Sequence, residues 1–199
     1  MRPWGVTSSG ATPPIPADLP DADAVLSFWF VEHGQADWFA SSDDFDAKIA
    51  ARFSALHAAA RRGELAAWRT SARGRLAEIL VLDQFSRQLF RRQPQAFACD
   101  MQALTLSQEL VSAGHLEGLE GPERVFACLP FMHAESLAIQ EAGLALFSDM
   151  GEQTLGFARD HRDIVARFGR FPHRNEALGR ESTPDEVAYL AEGRDRYGQ

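Results

Sequence analysis

The chain has 199 residues and a net charge of −8, a length that suits a single domain with a full core and a charge that argues against broad nucleic-acid binding. No apolar run approaches a membrane span, and the N-terminus lacks the apolar segment of a secretory signal. Cys99 and Cys128 have neither zinc nor redox spacing, so the sequence reads as cytoplasmic, without a membrane or nucleic-acid partner.

Residues 1–20, rich in Pro, Gly, Ser and Thr, are expected to form a flexible or draped arm, with a single all-α domain over 21–199. Asp21 to Phe30 is a short predicted helix with its acids at the positive end of the dipole. Ser42 is placed to cap the next one, where Phe45, Ile49, Phe53, Leu56 and Ala60 share a face until Gly63. The third helix, about Ser71 to Arg92, is apolar on nearly every side, which marks it as central and buried; Pro94 closes it. Asp100 to Ala113 is the fourth. Gly121-Pro122 opens another, with a break expected at Pro130 and a resumption through His133 to about Asp149. Glu152 to Phe168 carries Phe157, Ala158, His161, Val165 and Phe168 as an apolar stripe and stops at Gly169. Pro172 to Leu178 is expected as one short helix ending at Gly179. Thr183-Pro184-Asp185-Glu186 is a capping box that opens a last helix to Ala191. No segment alternates as a strand would, and the fold class is all-α: a helical bundle or a helix-hairpin array.

Polar residues interrupt this pattern in three places. Asp83, Gln84 and Arg87 lie inside the most apolar helix, where the bland reading is an ion pair one turn apart that ties helices together. His133 and Glu135, in LPFMHAES, are read as opening a helix after Pro130, with their side chains able to reach a cleft. The densest stretch, from Asp160 to Ser182, holds Arg170, His173, Arg174 and Asn175 around a sharp turn. Backbone N–H groups at a helix start there, beside Arg170 and Arg174, would cradle an anion. The competing reading is that these arginines tie the C-terminal helix to an acidic remainder. His161, on an apolar stripe, is read first as a hydrogen-bonded core residue.

The motifs LDQFSRQLFR near Leu82, LPFMHAES near Leu129 and RFGRFPHRNEALGRESTPDE from Arg167 resemble a bacterial family catalogued as domain of unknown function nine hundred and twenty-four. The resemblance covers nearly the whole chain from about residue 22. It implies a helical fold similar to tetratricopeptide-repeat arrays and implies no reaction. In that family the first motif usually has Pro where this chain has Ser86, a change expected to leave the helix straighter.

Three functions compete. In the first, Asp83, Gln84, Arg87, His133, Glu135, Arg170, His173, Arg174 and Asn175 converge on one pocket for a small carboxylate or phosphate. His133 or His173 would then be the proton carrier for any chemistry. The second is a tetratricopeptide-like module holding a peptide or protein in a groove. The third is a metal-dependent hydrolase using Asp83, His133, Glu135, His161 and His173, against which the absence of His-Glu-x-x-His spacing weighs. No nucleophile elbow or phosphate-binding glycine loop is present, and no cofactor is expected.

Overall fold

Four helices start on a side-chain oxygen that accepts the N–H three residues on: Asp21 from Ala24, Ser42 from Phe45, Ser71 from Gly74 and Thr183 from Glu186. At Thr183 the box closes, because the Glu186 carboxylate reaches back to the Thr183 N–H at 2.7 Å. The computed structural model describes residues 15–38, 40 and 42–192. Residues 1–14 of the expected arm lie outside this set, whereas Ile15 and Leu19 pack against the main core.

The helices are α1 (Ala22–Ser27), α2 (Gln35–Trp38), α3 (Asp43–Arg61), α4 (Ala72–Leu80), α5 (Ser86–Leu89), α6 (Asp100–Ser112), α7 (Pro122–Met132), α8 (Leu137–Phe147), α9 (Glu152–Phe168) and α10 (Pro184–Ala191). A π-helical turn, Phe28–Glu32, continues α1, and a second, Val81–Phe85, joins α4 to α5. Among the described residues there is no strand, and no helix is long and apolar enough to cross a membrane. From α6 to α9 each helix packs on the next, so the all-α fold is a helical array.

The α4–α5 segment is its axis, as the all-round apolar pattern requires. Every residue from Leu76 to Gln88 is buried; α4 packs against α1, α6 and α7, and the π turn with α5 lies on α3. Phe28, Phe53, Phe85, Trp29 and Phe126 interlock there with ring centroids 5.0–6.2 Å apart, each contributing about 1.5–3 kcal/mol by burial. A separate, smaller core of Ile164, Val165, Phe171 and Tyr189 lies between α9 and the C-terminal segment.

The structure departs from the sequence expectations at four points. The third helix is not regular: a π turn, Val81–Phe85, interrupts it just before Ser86. The Ser86 hydroxyl donates back to the Leu82 carbonyl at 2.6 Å and meets His57 Nε2 at 2.8 Å. Pro130 does not break its helix: α7 runs on to Met132, because the one backbone bond proline forgoes falls in the last turn. His133 therefore ends α7 instead of opening a helix, and α8 begins at Leu137. Phe157 points outward, 46% exposed. Pro172–Arg174 is a single 3-10 turn, and Gly179 stands at φ +63° after it.

Candidate functional site

The π turn places Asp83 and Gln84 one after the other in the interior. A π turn widens the helix locally and displaces its side chains from α-helical positions, which is why such turns gather at sites. Asp83 is 1% exposed and accepts hydrogen bonds on both carboxylate oxygens. Oδ1 takes His133 Nδ1 at 2.8 Å and is ion-paired with Arg87 Nη1 at 3.1 Å, which donates to the Asp83 main-chain carbonyl at 2.6 Å; Oδ2 takes Gln84 Nε2 at 2.6 Å. Burial alone would raise its pKa, but Arg87 and His133 outweigh burial and hold the carboxyl well below the usual range.

Arg87 reaches further, to both oxygens of Asp100 at 3.2 and 3.3 Å, and Asp100 Oδ2 also accepts Arg174 Nη1 at 3.1 Å. Two guanidinium groups thus face two carboxylates, and the cluster is charge-balanced. Arg174 is 5% exposed and lies between Phe97 and Phe171, its guanidinium carbon 4.7 and 4.5 Å from the two ring centroids. Burial pulls its pKa down to about 10, so it stays charged at neutral pH. The Nε atoms of both Arg87 and Arg174 are buried without a hydrogen-bond partner among the described residues.

Three histidines lie around this cluster. The His133 and His161 rings are 6.4 Å apart, and Phe171 contacts both His161 and His173. Burial pulls His161 and His173 down to about 3, and it lowers His133 against the opposing pull of Asp83, so all three are neutral at pH 7.

The remaining expected site residues form a second group. Glu135 accepts the Phe171 N–H at 2.8 Å and both terminal nitrogens of Arg180 at 2.7 and 2.9 Å. Arg170 forks onto Glu186 at 2.7 and 2.8 Å, and Asn175 joins Ser182, Glu186 and Arg180. The anion cradle expected at this turn is filled by the protein's own carboxylates, Glu135 and Glu186. Asp83, Gln84, Arg87, His133 and Arg174 come together with His173 nearby; Glu135, Arg170 and Asn175 fasten the C-terminal segment. Sequence reasoning missed Asp100, Arg180, Glu186 and Phe97 as partners. Asp100 was visible only as an acid in the first turn of a helix, a place the dipole explains by itself.

A cleft of about 540 Å³ opens beside the cluster, lined by Arg87, Arg91, Arg92, Phe97 and His173 among others. Arg91 is engaged by Asp46 at 2.8 Å. Arg92 pairs with no carboxylate among the described residues and is the one described non-glycine residue at positive φ, +61°. Glu176 and Ser182 lie on the opposite, C-terminal wall. The ligands weighed for a hydrolase do not gather: among the described residues, no group of three or more His, Cys, Asp or Glu is placed to hold one ion.

An all-α array with a charge-balanced Asp–Arg–His cluster under an arginine-lined cleft is the class of protein these features define. The chain belongs to the bacterial proteins of unknown function grouped as DUF924, whose family model matches residues 25–194. A solved structure of a protein of unknown function from Agrobacterium tumefaciens is similar to it at 42% identity and a TM-score of 0.83, covering 86% of this chain and 97% of that one. A search of curated proteins found no match.

Proposed function

We propose that the cleft beside Arg87 binds a small anion, a carboxylate or a phosphate. The observation that carries this reading is Arg92: a guanidinium that pairs with no carboxylate among the described residues, held at φ +61° on a cleft that Arg87 also lines. A residue kept in the left-handed region costs of order 1–3 kcal/mol, and such conformations cluster at ligand sites. Arg87 and Arg174 support it, since their buried Nε atoms have no hydrogen-bond partner among the described residues. Cys99 and Cys128, both free and buried, support a reducing, cytoplasmic setting.

Thermal unfolding of wild type and Arg92→Ala against phosphate, acetate, a C-terminal peptide and divalent metals tests the reading. An anion at a hundred times its Kd stabilises by about 2.7 kcal/mol, or about 5–10 °C for a domain of this size. The expected result is a rise with phosphate or acetate that Arg92→Ala loses. A rise with the peptide alone would replace the reading by a tetratricopeptide-like groove, and an unchanged response in Arg92→Ala would remove Arg92 from the site.

A further inference from the structure

Among the described residues four charged side chains line the cleft, Arg87, Arg91, Arg92 and Glu176, and two of them are already answered. Arg87 faces Asp83 and Asp100, inside a cluster whose two arginines and two carboxylates balance. Arg91 forks onto both oxygens of Asp46 at 2.8 Å. The His173 ring also lines the cleft, and burial keeps it neutral at pH 7. Arg92 remains on one wall and Glu176 on the other. Both are exposed, and neither side chain makes an ion pair or a hydrogen bond among the described residues. The uncommitted charge of the cleft is therefore one positive and one negative, and these stand on opposite walls.

This pattern discriminates among anions. A simple anion satisfies Arg92 but brings a second negative charge into a cleft that already holds Glu176. A molecule that also carries a cation satisfies both walls. The rest of the lining includes Ala96, Phe97, Pro172 and Leu190, apolar surface suited to a short hydrocarbon chain. We infer that the cleft takes a zwitterionic aminocarboxylate, its carboxylate on Arg92, its ammonium on Glu176 and its chain against Phe97 and Leu190. The inference rests on the anion reading above and names the ligand class. Charges on opposite walls call for charges at opposite ends of the ligand, as in an ω-amino acid. The fork of Arg92 matches a carboxylate, and an ammonium donates readily to the Glu176 oxygens.

Isothermal titration of the full chain tests it with the ω-amino acids from glycine to 6-aminohexanoate. Each is paired with the carboxylate that has a methyl in place of the ammonium, and inorganic phosphate is titrated alongside. One chain length should bind about tenfold tighter than its methyl counterpart, the worth of one charge-assisted contact. Glu176→Gln should erase that preference while binding the methyl compound at least as well. Glu176→Lys should turn the preference toward the dicarboxylate of the same length, and Arg92→Ala should lose both series. Both positions are exposed, so the unliganded variants should melt with wild type. Equal binding of amino and methyl compounds by wild type overturns the inference and leaves the anion reading intact. A preference that survives in Glu176→Gln overturns it too, by placing the ammonium elsewhere. Phosphate that binds where neither series does overturns it and keeps the anion reading. Silence from all three removes both.

Discussion

Replacing Asp100 by Asn tests whether the cluster's charge balance holds the fold together. Asp100 is the carboxylate that Arg87 and Arg174 share, at 3.1–3.3 Å, and its side chain is 15% exposed. Without its charge Arg87 keeps Asp83, but Arg174 loses the one ion pair it makes among the described residues while 95% buried between Phe97 and Phe171. Stranding a buried charge costs about 3–5 kcal/mol, and an asparagine oxygen still accepts one hydrogen bond, so a loss of about 3 kcal/mol is expected. For a domain of this size that lowers Tm by about 6–12 °C. Scanning calorimetry or urea unfolding at pH 7 reads it. A loss under about 1 kcal/mol, the value of an exposed pair, would refute the picture of a desolvated cluster.

Gly74→Ala should be severe, because a Cβ at that position would lie 2.0 Å from the Trp68 carbonyl oxygen; a loss of at least about 2 kcal/mol in urea unfolding is expected for such overpacking. Stability should also fall with acid. His161 and His173 have folded pKa values near 3, below the unfolded value near 6.5, so the unfolded chain takes up protons first. Their contribution is present above pH 6.5 and lost between about 6.5 and 3, each histidine withdrawing about 1.4 kcal/mol per pH unit; unfolding free energy that stays flat from pH 7 to 5 would contradict this. Glu135→Ala should speed hydrogen exchange at the Phe171 amide, whose acceptor it removes, and leave amides in α3 unchanged.

The capping residues and the central helix were legible because each depends on local spacing. The caps at Ser42 and Thr183, the buried face of α3 and the continuous burial from Leu76 to Gln88 follow from residues within a turn of one another. Asp83 and Arg87 were legible as an oddity for the same reason. Their outer partners were not, since nothing near Asp100 in the chain says that it receives Arg174 from 74 residues away. Arg170 and Asn175 misled in the opposite direction. Their residue types suit an anion, but Glu186, read only as part of a capping box, answers both. Pro130 was read by its usual effect, yet in the last turn of α7 it removes little, and the chain turns after His133 instead. That shift places His133 at a helix end, where its ring reaches Asp83.

The two walls of the cleft belong to different cores. Arg87, Arg91 and Arg92 stand on the main core through α4 and α5, whereas Pro172, His173 and Leu190 stand on the small cluster of Ile164, Val165, Phe171 and Tyr189. Two ionic clasps hold the C-terminal segment: Arg170–Glu186 within it, and Glu135–Arg180 between it and the α7–α8 connection. The cleft therefore runs along the seam between the two cores. In such a seam the side with fewer buried contacts is expected to open first, so amides of residues 171–191 should exchange with solvent faster than those of α4.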